Sequence, residues 1–322
     1  MRLFALEGNS TLADAVATEL SHPLDPHEHR DFEGGEHKAR PMVSVRGQDV
    51  FVIADLSGGS DASTDQRLIR LLFFLATCRE NGAERITAIA PYLCYSRKDR
   101  QTKRHDPVTT RHVARLFDAV GCDRLITFDV HNIAAFQNAF RCGTIHLEAR
   151  SLFSARIEAL AGESGVTVFS PDGGGVKRAE LMRESYERQT GQEAAFGFME
   201  KHRSRGVVSG SLFAGDVANQ SVFIVDDMVS TGGTLLRAAH ACREHGASAV
   251  YAMATHGLFV PERGEVLDDP AIDRIIVTDS VAAARFVKSD RLEVVTIAPM
   301  IAKAIQRLHA GDPLDDLIAL ED

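Results

Sequence analysis

Short apolar runs rich in Val, Ile and Phe alternate along this chain with longer segments of helical period, and most of the runs end in a polar or glycine-rich turn. A strand that is apolar on both faces must be covered on both faces, so the alternation calls for βα units and parallel sheets flanked by helices. The expected strands are Val50–Ala54, Ile86–Ala90 and Leu125–Phe128 in the first half, then Val166–Phe169, Val222–Val225, Val250–Ala254, Ile275–Val277 and Val294–Thr296. Helices are expected at Leu12–Glu19, Asp65–Glu80, Thr109–Val120, Gly175–Glu187, Thr234–His245 and Met300–His309. A length of 322 residues is about twice a typical domain of roughly 150. The expected fold class is therefore α/β, with two doubly wound parallel-sheet domains. Their boundary is expected near residues 145–150, where His146, Leu147 and Glu148 lead into a new helix.

The balance of 36 basic against 45 acidic residues gives a net charge of −9. That opposes the broad attraction on which non-specific nucleic-acid binding relies, so any anion must be caught by a local site. One basic cluster stands out. Arg97, Lys98, Arg100, Lys103, Arg104 and Arg111 are accompanied only by Asp99 and Asp106, which makes an anion trap or a solvated loop. The five cysteines are odd in number, widely spaced and never CxxC, which fits a reducing compartment better than a disulfide or zinc framework. The start has no secretory-signal pattern, and the strongest apolar run, Leu71–Ala76, is far too short for a bilayer. A cytoplasmic protein is expected, with neither membrane nor nucleic acid as partner.

The sharpest signal is Val222–Thr234, VFIVDDMVSTGGT: a hydrophobic strand delivering Asp226 and Asp227, then a turn of Ser230, Thr231, Gly232 and Gly233 opening a helix at Thr234. Glycines let the backbone approach a phosphate, while its N–H groups, the threonine hydroxyls and the helix N-terminus donate hydrogen bonds to it. Paired carboxylates beside such a turn suit the vicinal hydroxyls of a ribose whose 5-phosphate the turn holds. TGGT alone would be equally at home as a capped strand-to-helix turn. His131 and Asp172 each follow a strand end, at the carboxyl edge where α/β ligands bind. Alone, His131 reads as a satisfied structural histidine, the glycines Gly173–Gly175 as a tight turn, and Lys201 with Arg203 as a solvated charge run.

Together these segments resemble the ribose-phosphate pyrophosphokinase, or phosphoribosyl pyrophosphate synthetase, family. The VFIVDDMVSTGGT stretch looks like the phosphoribosyl loop shared with type I phosphoribosyltransferases. Four further segments resemble the synthetase in its own order: DFEGGE (31–36), PYLCYSRKDRQTKRHDP (91–107), TFDVHNIAAFQNAF (127–140) and SPDGGGVKRA (170–179). The tail from Ala298 to Gly311 resembles the family's closing helix. The resemblance implies two domains of phosphoribosyltransferase type, 1–147 joined by a helix at 299–312, and 148–298. It implies transfer of a pyrophosphoryl group from MgATP to the anomeric hydroxyl of ribose 5-phosphate.

Carried over residue by residue, the resemblance puts Asp226, Asp227, Ser230, Thr231, Gly232, Gly233 and Thr234 on ribose 5-phosphate, and Asp172, Gly173 and Gly174 on the pyrophosphate. It puts Phe32, Gly34, Glu36, Arg97, Lys98, Asp99 and His131 on ATP. His131 and Asp172 fall on Mg²⁺, although imidazole is an uncommon partner for so hard a cation. Lys201 and Arg203 match the Lys-x-Arg of the family's catalytic loop. Phe32 and Glu36 would come from a neighbouring subunit, which implies a homo-oligomer, dimer or hexamer, with a shared site.

The sequence also departs from the family pattern. Ser230 stands where many members are acidic, Lys98 replaces a common Gln, and the stretch after His131 lacks the usual Gln-x-Gln-Gly. Two rivals follow: a phosphoribosyltransferase, against which the extra amino-terminal domain speaks, and a catalytically silent synthetase-like subunit.

Overall fold

The computed structural model describes the backbone of residues 1–6, 10–162, 164–204, 207–259 and 265–318, and their side chains except those of 10, 201–204, 207–211, 265 and 285–286. The chain divides into two compact units. The first comprises Met1–Glu148, Ser280–Ala282 and Thr296–Asp322, the second Ala149–Asp279 and Ala283–Val295.

In the first unit, β1 (Arg2–Ala5) and α1 (Ser10–Leu20) are followed by a hairpin of β2 (His27–Asp31) and β3 (His37–Pro41). Then come β4 (Asp49–Ile53), α2 (Thr64–Glu80), β5 (Arg85–Ile89), α3 (Thr109–Ala119), β6 (Arg124–Phe128), α4 (Ile133–Ala139) and β7 (Gly143–Leu147). The sheet runs β1-β4-β5-β6-β7, every pair parallel, while β2 and β3 form a separate antiparallel ribbon. Every residue of β4 is buried, the behaviour expected of a strand covered on both faces. Val50 and Val52 join Leu68, Leu71, Leu72 and Leu75 of α2 in one apolar cluster. A capping box starts α2: Ser63 Oγ accepts from Gln66 N–H, and Gln66 returns the bond to Ser63 N–H at 2.8 Å.

The second unit carries α5 (Arg150–Ala161), β8 (Val166–Ser170), α6 (Val176–Thr190), β9 (Ala194–Ser204), β10 (Val207–Ala214) and β11 (Ser221–Val229). It continues with α7 (Gly233–Glu244), β12 (Ala249–Gly257), α8 (Glu265–Asp268), β13 (Arg274–Thr278) and β14 (Leu292–Val295). The strand order is β10-β9-β8-β11-β12-β13-β14, parallel throughout except for the edge pair β9/β10. Strand β11 shows why this sheet needs helices on both faces. Val222 and Ile224 pack with Leu235, Ala238 and Ala239 of α7, whereas the alternate residues Phe223 and Val225 pack with Phe153, Ile157, Met182 and Tyr186 of α5 and α6.

The chain then returns to the first unit as α9 (Ala298–Ala310), which buries Ile301, Ala302, Ala304 and Ile305 and packs on α1. His309 Nδ1 lies 3.0 Å from Asp49 at the start of β4. The brief visit of residues 280–282 is fixed by Asp55, fully buried, which accepts from Ala282 N–H at 3.1 Å and from Arg67 at 3.0 Å. No helix among the described residues is long and apolar enough to cross a membrane.

Candidate functional site

In the second sheet the winding reverses between β8 and β11: from β8 the chain moves to β9 on one side, and β11 takes the other. Ligands of open α/β sheets bind outside the carboxyl ends of strands at such a reversal, because the two following loops diverge and leave a crevice. The two most distinctive turns of the sequence lie at the carboxyl ends of these neighbouring strands.

After β8, Asp172 folds the turn onto itself. Its Oδ1 accepts from the backbone N–H of Gly174 at 2.9 Å and of Gly175 at 3.1 Å, while Ser170 Oγ donates to its carbonyl at 2.7 Å. Asp172, Gly173 and Gly174 are exposed; Gly175 is buried, and a Cβ there would stand 2.8 Å from Ser170 Oγ. This exposed turn feeds straight into the N-terminus of α6.

Strand β11 ends in the carboxylate pair and runs on to Val229. Asp227 is nearly fully buried, and the Asp226 side chain is 22% exposed. Burial pushes the Asp226 carboxyl up to about 8, assisted by hydrogen bonding and repulsion from the Asp227 side chain and opposed by Arg178. Arg178, on the first turn of α6, reaches Asp226 at 3.3 Å and Asp227 at 3.7 Å, linking the two turns.

In the turn from β11 to α7, Gly232 has φ +72°, and a Cβ there would lie 2.4 Å from Val266 Cβ, so both backbone and space require glycine. Gly233 has no such constraint; its nearest neighbour would be Arg237 at 3.7 Å. Thr231 is exposed, and Ser230, Gly233 and Thr234 are partly so. The Thr234 hydroxyl accepts from Arg237 at 3.2 Å.

In the first unit the loops after β5 and β6, neighbouring strands, carry the other candidates. Asp99 accepts from Asn132 Nδ2 at 2.6 Å, and Asn132 caps α4 by accepting from Ala135 N–H at 3.1 Å. The basic loop is thus tied to the segment holding exposed His131. Arg97 and Arg100 are exposed, but Lys98 is engaged, donating to Asp106 at 2.5 Å and to Thr102 at 3.0 Å. The lysine and its neighbours hold the Asp106 carboxyl well below the usual carboxylate range. Phe32, Gly34 and Glu36 occupy the exposed tip of the β2–β3 hairpin, where Arg30 lies over the Phe32 ring at 5.2 Å and the ring is 43% exposed.

Lys201 and Arg203 fall on β9, with backbone partners Ser211 and Val208 on β10, where the family resemblance implies a loop. Their side chains lie outside the described residues. Reading the sequence alone also missed Arg178. The available signal was an arginine three residues beyond GGG, one helical turn into α6, where it faces the next strand end.

A glycine turn opening a helix, a second exposed glycine turn and a carboxylate pair at the reversal of a parallel sheet are the features of an α/β protein that binds a phosphorylated ligand. Comparison with known proteins makes this specific. The family model described as the N-terminal domain of ribose phosphate pyrophosphokinase matches residues 1–121, and that of the phosphoribosyl synthetase-associated domain matches 208–319. The chain is 31% identical to ribose-phosphate pyrophosphokinase 1 of Streptococcus pyogenes, covering 99% of this chain and 98% of that protein. It is 33% identical to the ribose-phosphate pyrophosphokinase of Caldanaerobacter subterraneus, over 97% and 95%. The crystal structure of phosphoribosylpyrophosphate synthetase from Mycobacterium smegmatis superimposes with a TM-score of 0.87 at 31% identity, over 96% of this chain and 99% of that one. The chain belongs to the ribose-phosphate pyrophosphokinase family.

Proposed function

We propose that this chain transfers the pyrophosphoryl group of ATP to the anomeric hydroxyl of ribose 5-phosphate, releasing AMP and 5-phosphoribosyl 1-pyrophosphate. The observation that carries this is the pairing of the Asp172 turn with the Asp226–Thr234 segment on adjacent strands, linked by Arg178. One turn suits the sugar phosphate and the other the group being moved. The turn at Thr231–Thr234 takes the 5-phosphate through backbone N–H groups and hydroxyls, and Asp226 and Asp227 accept from the ribose hydroxyls. The C1 oxygen so oriented attacks the β-phosphorus in line, and AMP leaves. Arg97, Asp99 and His131 belong to the nucleotide, with Lys98 holding the loop through Asp106. Lys201 and Arg203 neutralise charge that develops on the phosphoryl oxygens.

Among the described residues no three His, Cys, Asp or Glu side chains are grouped to hold a metal. By the family resemblance, magnesium would be held chiefly by the nucleotide's phosphates and water, with Asp172, an exposed carboxylate, and His131 as the protein's contributions. When bound, magnesium would screen the triphosphate's charge.

The exposed tip of the β2–β3 hairpin supports an adenine contact made by Phe32 and Glu36 in a second copy of the chain, so we take the working form to be a homo-oligomer acting in the cytoplasm. Incubation of the purified protein with Mg²⁺, ATP and ribose 5-phosphate tests the reading. AMP and phosphoribosyl pyrophosphate must appear in equal amounts; neither a phosphoribosyltransferase nor a silent subunit would do this.

A further inference from the structure

Five cysteines are present, and three of them, Cys78, Cys94 and Cys242, are inert by position: each is buried, and burial pushes each thiol up to about 12. Cys122 and Cys142 differ. They lie 20 positions apart in sequence, just before β6 and β7, which pair in parallel with Arg124 opposite Gly143. The backbone holds them together through Gly143 N–H, which donates to the Asp123 carbonyl at 2.8 Å. Cys122 is buried in the apolar cluster of the first unit, and half-buried Cys142 packs against that cluster from the solvent side. The two thiols lie close enough that each shifts the titration of the other.

We propose that Cys122 and Cys142 form a peroxide-oxidisable dithiol, with Cys142 as the attacking thiol and Cys122 as the resolving one. The arrangement has the asymmetry such chemistry needs: one thiol partly exposed, and its neighbour buried in the same apolar cluster and screened from reagents. The Cys122 S–H donates to the Arg124 carbonyl at 3.1 Å and can turn to the Cys142 sulfur when that sulfur ionises. Interaction with Cys122 lowers Cys142 below an ordinary thiol, against burial and the charges of Asp118 and Asp123, whereas interaction with Cys142 together with burial raises Cys122.

In the first step the Cys142 thiolate attacks the O–O bond of hydrogen peroxide. One oxygen stays on sulfur as sulfenic acid, and the other leaves as hydroxide, which takes a proton to become water. Cys122 then gives up its proton and attacks the sulfenic sulfur, the S–O bond breaks, and a second water leaves. Two thiols and one peroxide become one disulfide and two waters, with sulfur oxidised and peroxide oxygen reduced. A thiol such as glutathione or dithiothreitol reverses it by exchange. The closed loop, Cys122 to Cys142, contains β6, His131 and α4, so oxidation would covalently close the segment that carries His131.

The test uses the full chain, reduced and then treated with hydrogen peroxide. In the reduced protein, brief native alkylation should label Cys142 ahead of the other four cysteines. After peroxide that labelling should be lost, a non-reducing digest should contain the Cys122 and Cys142 peptides joined, and dithiothreitol should restore labelling. In Cys122→Ser the oxidation should stop at sulfenic acid on Cys142, trapped by a dimedone-type reagent. Cys142 driven to sulfinic acid in the wild-type chain without any cross-link, or joined to Cys142 of a second chain, would overturn the proposal. So would labelling of Cys142 that peroxide leaves unchanged. The wild-type digest decides the matter even if the serine variant folds poorly.

Discussion

Arg178 and Asp226 are 48 positions apart in the chain, yet the guanidinium lies 3.3 Å from the carboxylate and 3.7 Å from that of Asp227. The arginine stands on the helix that follows one turn of the site and the carboxylates on the strand that precedes the other. The ion pair therefore sets the spacing of the two turns as well as compensating the carboxylate pair.

Replacing Arg178 by Met removes that cation and leaves two adjacent, largely buried carboxylates uncompensated. Ribose 5-phosphate binding should weaken by about 1–3 kcal/mol, the usual cost of leaving a buried polar partner unpaired. Titration calorimetry checks this. Lysine at 178 should recover only part of the loss, since it cannot bridge two carboxylates with a planar fork.

The protonation of Asp226 gives a pH dependence of defined sign. Its folded value, about 8, stands above the ordinary 3.8, so between those two values the folded chain binds more protons than the unfolded one. The stability it contributes is whole below the lower value and is lost as pH rises through the upper one. Melting temperatures of the ligand-free protein should carry this downward contribution from about pH 4 to about pH 8. Asp226→Asn should remove it, so that variant and wild type differ more in the wild type's disfavour at alkaline pH. Identical profiles would show that Asp226 keeps an ordinary carboxyl.

Gly232 and Gly233 are neighbours with opposite tolerance. Alanine at 232 must adopt φ +72° and displace Val266, so Gly232→Ala should cost about 1–3 kcal/mol of stability and sharply weaken ribose 5-phosphate binding. Gly233→Ala meets only an ordinary contact at 3.7 Å and should stay within about 1 kcal/mol of wild type in denaturant melts.

Phe32→Ala should raise KM for ATP more than KM for ribose 5-phosphate, because stacking on a base is worth roughly 1–3 kcal/mol. If the hairpin tip serves a second copy of the chain, as proposed, the defect should be confined to the assembled form. Equal changes in both constants in steady-state kinetics would remove Phe32 from the adenine.

Lys201→Ala should lower kcat by about a hundredfold or more and leave both KM values close to wild type, the pattern of a contact made mainly in the transition state. Steady-state assays with folding checked by circular dichroism decide it. Unchanged kcat would take Lys201 out of the reaction.

Much of this molecule followed from local chemistry. The runs at Val50, Ile86, Leu125, Val166, Val222, Val250 and Ile275 are apolar without alternation, which suits interior parallel strands, and each is found inside one of the two main sheets, while the run at Val294 forms the edge strand β14. The turn at Gly232 was legible because only glycine serves where the chain must enter a helix with positive φ. The β2–β3 ribbon, HEHRD against HKARP, has no apolar period to read, and β9–β10 lies at a sheet edge, so neither was expected. Tertiary structure alone decided the order of the strands, and with it the reversal that sets β8 beside β11. It also decided that Arg178 meets Asp226 and that Cys122 meets Cys142. Periodicity reports which face of an element is buried; which distant residue covers that face depends on the pairing of strands far apart in the chain, a property of the whole fold.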